Sequence, residues 1–319
     1  MRTNRPIKSC LKGERLVQRE AIDATSWAYM KMLREQDRTK KVYPVDPYVE
    51  VYQFRDNLYG LLTESADGMG DPWMYLLIGP EKAMLVDTGF GIGDLKGLVR
   101  ELTGGMPLIV ANTHCHFDHA YGNCQFERCY CHELEVEAME RKQDPTIWDY
   151  LFTPEGQGVW FDFPRADIVP WNRYEVVGVP DGHIFDLGGG YEVELLWLPG
   201  HAAGHATFLD KPNRVLLSGD GIISMRVGVG SGGLAVNSVS SYRNELVKLS
   251  KRLGEFDHIY SGHFVGDLEN SVVLGLIAAC DAIIANPAGA DDRYQMFNRE
   301  ALLKYVQGLG TIGYSVSAI

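Results

Sequence analysis

Short runs of branched and aromatic residues, separated by turn residues, mark the first part of the chain. Tyr48 to Phe54, Leu58 to Thr63, Met74 to Ile78 and Ala83 to Val86 have the length and composition of strands. Asp94 to Leu102 predicts a helix that returns the chain to a further apolar strand, Pro107 to Ala111. After a long intervening segment the pattern resumes. His132 to Arg141 predicts a helix, and strands are expected at Val176, at Ile184, and over Tyr191 to Leu198, Ala206 to Asp210, Val215 to Ser218 and His258 to Tyr260. Helices are expected over Ser240 to Leu253, Val272 to Ala285 and Arg299 to Val306. Ahead of all this, Arg19 to Arg38 places Ile22, Trp27, Met30 and Leu33 among charged residues, the spacing of an appended amphipathic helix. The expected organisation is an α/β chain with an extension over 1–45 and a main domain over 46–319, interrupted by an insertion at about 124–175.

With 319 residues, 45% of them hydrophobic, the chain can bury one large α/β core with additions. A net charge of -12 leaves no basic footprint for nucleic acid. No apolar run reaches membrane-spanning length, and Met1 to Arg19 lacks the apolar core of a secretion signal, so no membrane partner and a cytoplasmic location are expected. The six cysteines read as thiols; Cys124, Cys129 and Cys131 cluster, but as C-x-C rather than C-x-x-C, which favours a packing role. The insertion carries Trp148, Tyr150, Trp160, Phe161, Phe163, Trp171 and Tyr174. These are expected to form the core of a lid or a dimer contact more readily than a pocket wall, which leaves a homo-oligomer open. The glycine-rich stretch Arg226 to Gly233 has no phosphate-loop lysine and reads as a loop beside the site.

The candidate chemistry sits directly after the Pro107–Ala111 strand. His114, His116, Asp118 and His119 fall within Asn112-Thr113-His114-Cys115-His116-Phe117-Asp118-His119. Imidazole nitrogen and carboxylate oxygen suit zinc and harder divalent ions. Alternation turns His114 and His116 to one side and Cys115 away from it, while Asp118 and His119 can reach another, a layout for two metals.

The pattern H-x-H-x-D-H resembles the signature of the metallo-β-lactamase superfamily. Further elements follow in the family's order: Pro199-Gly200-His201 with Gly204-His205, Ser218-Gly219-Asp220, and Ser261-Gly262-His263. The resemblance implies an αββα sandwich with its site on loops at one edge. It also implies two divalent ions, zinc before iron or manganese, with His114, His116 and His201 on one, Asp118, His119 and His263 on the other, and Asp220 bridging. Asp118 and Asp220 would be the catalytic carboxylates. Asp87, in an Asp87-Thr88-Gly89 element, would orient a ligand, the alternative from the sequence being a turn aspartate. His205 is left for a hydrogen bond or packing, and His132, His183 and His258 are read as ordinary histidines.

Two ions sharing a water lower its pKa from about 16 to about 7 and polarise the scissile group, so the resemblance implies a hydrolase that needs no serine or cysteine nucleophile. Asp220 stands where β-lactam-cleaving members characteristically lack a carboxylate, and His116 where the flavin-coupled di-iron reductases have an acid. Gly221-Ile222-Ile223 omits the tyrosine of the acyl-homoserine lactonases. His119-Ala120-Tyr121-Gly122-Asn123 is similar to glyoxalase-II-like thioesterases. The implied substrate is a small ester, thioester or lactone. The rival is a persulfide-dioxygenase-like oxidoreductase holding a single iron on His114, His201 and Asp220.

Overall fold

The computed structural model describes residues 37–63, 70–159, 163–230, 234–264, 267–296 and 299–319. The helix expected over Arg19 to Arg38 lies outside these apart from its last two residues, as do Trp160, Phe161, Gly232 and Gly233.

Eight strands form the first sheet in chain order: Lys41–Tyr43, Asp46–Arg55, Leu58–Thr63, Trp73–Ile78, Ala83–Val86, Leu108–Ala111, Arg128–His132 and Glu175–Val179. The first five pair antiparallel through hairpins, and the last three join in parallel. The second sheet has six strands, ordered Leu268–Glu269, His258–Ser261, Val215–Gly219, Ala206–Asp210, Glu192–Trp197 and Ile184–Asp186.

Period-two alternation explains how the sheets stack. In the first sheet Leu58, Leu62, Trp73, Tyr75, Leu77, Met84 and Val86 meet Phe185, Val193, Leu195, Phe208, Val215, Leu217 and Tyr260 of the second. The intervening residues Leu61, Met74, Leu76 and Leu85 bury outward against the helix Leu95–Thr103. Likewise Leu209, Leu216 and Ile259 bury against the helices Val239–Ser250 and Val272–Ala285. Strands buried on both faces must be apolar throughout, which is why these runs show little alternation. The result is the expected αββα sandwich. At the edge carrying the site, Tyr75 Oη donates to the Ser261 carbonyl at 2.6 Å and Trp73 N donates to the Gly262 carbonyl at 2.7 Å, tying the sheets together.

Three expectations are corrected. Arg299–Val306 is a strand, paired antiparallel with Asp292–Met296 and Gly310–Tyr314. Its Leu302-Leu303 and Val306 fit either period, and the turn glycines Gly308 (φ 76°) and Gly310 (φ 146°) decide for a hairpin. Of the glycine-rich stretch, Met225–Gly228 is a strand that joins this hairpin in parallel, making a third sheet of four strands. The C-terminal addition is thus one helix, Val272–Ala285, and a small sheet. Finally, Arg128–His132 pairs with both neighbours inside the first sheet, so the excursion from the sheet runs only from 133 to 174. Within it Trp148, Phe163 and Tyr174 are buried in the core cluster that also holds Cys124, Cys129 and Cys131, while Tyr150 is exposed. The buried cysteines are free thiols, as expected.

Candidate metal centre

Strand Leu108–Ala111 ends at the site. Asn112 N donates to the Tyr130 carbonyl at 2.8 Å, the chain bends at Thr113, and it is extended at His116 (φ -65°, ψ 152°). His114 and His116 turn to one side, their rings meeting at 2.9 Å. The single helical turn Phe117–Ala120 then swings Asp118 and His119 to another.

Two clusters result. His114 Nε2 and His201 Nε2 each lie 2.9 Å from His116 Nδ1. Asp118 Oδ2 lies 3.0 Å from His263 Nε2 and 3.5 Å from His119 Nε2, and the two imidazole nitrogens are 3.2 Å apart. Asp220 stands between the clusters, with Oδ1 3.2 Å from His119 Nε2 and Oδ2 3.5 Å from both His201 Nε2 and His263 Nε2. Each of the sets His114/His116/His201, His114/His119/Asp220 and Asp118/His119/His263 keeps its donor atoms within 4.8 Å of one another. All seven residues singled out in the sequence therefore meet in one place.

The outer face of each ring fixes where its proton sits. His201 Nδ1 is 3.3 Å from the Gly228 carbonyl, His263 Nδ1 is 3.2 Å from the Asp71 carbonyl, and His119 Nδ1 is 2.8 Å from Asp87 Oδ2. A carbonyl or carboxylate oxygen only accepts, so these nitrogens carry protons, and with each ring neutral its Nε2 lone pair points inward. Lone pairs and carboxylate oxygens converging at about 3 Å repel one another unless a cation lies among them. Asp220 Oδ1 shows the same deficit: it is buried and has no hydrogen-bond partner, although His119 Nε2 lies 3.2 Å away. The electrostatics agree. Burial opposes charge on His119, but Asp118, Asp220 and Asp87 outweigh it and raise its pKa well above the ordinary value. Burial, with the other imidazoles adding to it, lowers His114 well below the ordinary value and His116 to about 3. The pocket is short of positive charge on one side and rich in neutral imidazole on the other. Nitrogen and oxygen donors without a thiolate fit zinc, iron or manganese.

The supporting shell is partly the one expected. Asp87 accepts from Thr113 N at 2.7 Å, from Thr113 Oγ1 at 2.8 Å and from His119 Nδ1. It does so at φ 64°, a left-handed conformation that Asp tolerates. His205 Nε2 accepts from Gly221 N at 3.0 Å, bracing the turn that follows Asp220. A Cβ at Gly262 would stand 2.4 Å from Asp220 Oδ1, so the close approach of the two loops requires glycine there. His132 stacks on Trp197, His183 packs on Phe185 and His258 pairs with Asp267, away from the clusters. Cys115 belongs to the core rather than to either cluster, and burial raises its thiol to about 12. Sequence reasoning missed the carbonyls of Gly228 and Asp71, which no residue type announces. It also missed Glu135, inside the helix expected over His132 to Arg141, and Lys142, just after it, positions where charge is ordinary.

Comparison with known proteins agrees with this geometry. Residues 67–263 match the family model of the metallo-beta-lactamase superfamily. Over 166 residues the chain is 30% identical to the acyl-coenzyme A thioesterase MBLAC2 of Bos taurus, covering 46% of this chain and 57% of that protein. Its match to the MBLAC2 of Gallus gallus is 27% identical over 206 residues, 60% of this chain and 72% of that one. The chain thus spans little more than half the length of the first of these relatives. A metallo-beta-lactamase from Pontibacter korlensis superposes with a TM-score of 0.54 at 15% identity, over 73% of this chain and 99% of that one, a likeness of fold. The chain belongs to the metallo-beta-lactamase superfamily.

Proposed function

We propose that this protein is a dinuclear metal-dependent hydrolase of thioesters, with an acyl-coenzyme A-like compound as the substrate class and the cytoplasm as its place of action. The observation that carries the reading is the convergence of imidazole and carboxylate donor atoms on both sides of Asp220. His114, His116 and His201 would hold one ion, Asp118, His119 and His263 the other, and Asp220 both, with zinc favoured. When bound, such ions supply an acidified water as nucleophile and a Lewis acid for the carbonyl oxygen. The similarity to thioesterases supports the bond class.

The chain's own residues supply the rest. Asp87 keeps the His119 proton on Nδ1 and thereby its Nε2 free to ligate. The Gly228 and Asp71 carbonyls do the same for His201 and His263. Cys115, held protonated by burial, offers no competing nucleophile. A thiolate leaving group, with a conjugate pKa of about 8.5, departs without a strong general acid, and the described site presents none. The single-iron alternative uses only one side of the pocket, whereas Asp118, His119 and His263 are as tightly gathered as the other three. Purified protein should hydrolyse a medium-chain acyl-coenzyme A, releasing free thiol. Prolonged chelation should abolish that release and added zinc should restore it. Full turnover by protein shown to be metal-free contradicts the proposal. No helix among the described residues is long and apolar enough to cross a membrane.

A further inference from the structure

The excursion at 133–174 touches the metal centre through a buried carboxylate. Glu135 is 2% exposed, at the end of the short helical turn Glu133–Glu135 that leaves the sheet strand Arg128–His132. Its two oxygens serve two different loops. Oε2 accepts from Cys115 N at 3.0 Å, between His114 and His116, and Oε1 accepts from Gly204 N at 2.8 Å, three residues after His201. Gly204 lies so close that a Cβ there would stand 2.6 Å from Glu135 N. On the other side of Cys115, Lys142 Nζ donates to the Cys115 carbonyl at 2.5 Å. The peptide units on both sides of Cys115 are thus each gripped by a charged side chain from the start and end of the helix Val136–Arg141.

We propose that Glu135 is a positioning residue that joins the two loops of the three-histidine cluster, with Lys142 fixing the same His114-Cys115-His116 segment from its carbonyl side. The carboxylate is needed as such, because both groups it faces are backbone N–H donors. Glutamine at this position would keep its length and volume but turn an amide donor toward one of them. Charge-assisted bonds to buried amides are among the stronger ones, and outer contacts of this kind commonly change metal affinity by about 10–100-fold. The second cluster, on Asp118, His119 and His263, receives no contact from either residue among the bonds described. The effect is therefore confined to one side of the site.

The inference rests on the two-metal reading, and cobalt(II) binding separates the two. Affinities are measured by competition with a chromogenic chelator, in a His263→Ala background to isolate the three-histidine cluster and in a His116→Ala background to isolate the other. Glu135→Gln should weaken the three-histidine cluster about 10–100-fold, with an altered cobalt visible spectrum, and leave the other within about twofold. Lys142→Met, at a half-buried position, should act in the same direction by about three- to tenfold. The Tm of metal-free Glu135→Gln should stay within a few degrees of wild type; if that variant does not fold, Lys142→Met decides alone. Variants that bind as wild type does at both clusters, or that lose both alike, overturn the assignment of Glu135 and Lys142 while leaving the metal reading intact. A wild-type chain that takes up no ion overturns both.

Discussion

Asp220 Oδ1 and His119 Nε2 face each other at 3.2 Å without a hydrogen bond to Asp220 Oδ1, while the far side of the His119 ring is held by Asp87 at 2.8 Å. Buried carboxylates crowded among buried imidazoles draw positive charge, which is why the His119 pKa is raised, and a divalent ion would supply that charge at both clusters.

Asp220 and Asp118 have different reach, so their removal should differ. Asp220→Ala deletes the group lying between both clusters and should leave neither ion tightly held. Asp118→Ala deletes one ligand of one cluster and should keep about one ion per chain while lowering kcat by about two orders of magnitude or more. Metal stoichiometry and turnover on the same two samples check this. Near-wild-type turnover by Asp118→Ala contradicts a dinuclear mechanism.

Asp87→Asn tests the proton assignment on His119. Asparagine tolerates the left-handed backbone at this position, so the turn should survive. Its amide offers only one acceptor oxygen where Thr113 N, Thr113 Oγ1 and His119 Nδ1 all approach. The His119 proton then moves to Nε2, and the second cluster should lose about 10–100-fold in metal affinity with the three-histidine cluster spared. Nitrogen NMR of the metal-free variant should show the changed tautomer.

Asp46 supplies a pH dependence away from the metals. Burial, only partly opposed by the Tyr48 N–H and reinforced by Asp94, raises its pKa to about 7. In the unfolded chain it ionises near about 3.9, so between about pH 4 and pH 7 the folded state binds more protons. Stability from this group is therefore lost as pH rises through that window and is level above it. Asp46→Asn removes the loss. The variant should match wild type near pH 4 and exceed it at pH 8 by about 1–3 kcal/mol, or several degrees in Tm. A Tm difference independent of pH contradicts the assignment.

Much of the site was legible because ligand chemistry fixes residue type. His114, His116, Asp118, His119, His201, Asp220 and His263 all meet within two adjoining clusters. The sandwich was legible where strands are buried on both faces, as at Leu58–Thr63 and Ala83–Val86. What escaped was set by partners distant in sequence. Arg299–Val306 has an apolar spacing that suits a helix until the strands Asp292–Met296 and Gly310–Tyr314 flank it. Met225–Gly228 becomes a strand only because the chain's last strand lies beside it, and that pairing fixes the Gly228 carbonyl that orients His201. Glu135 was invisible for a related reason: its partners are backbone amides, which carry no signature in the sequence.

Elemental analysis of protein purified without added metal, alongside Asp220→Ala, shows whether Asp220 and the six side chains around it hold two ions. Close to two divalent ions per wild-type chain are expected, mainly zinc, and close to none in Asp220→Ala. One iron per wild-type chain, with a reaction that consumes oxygen, would contradict the two-metal reading.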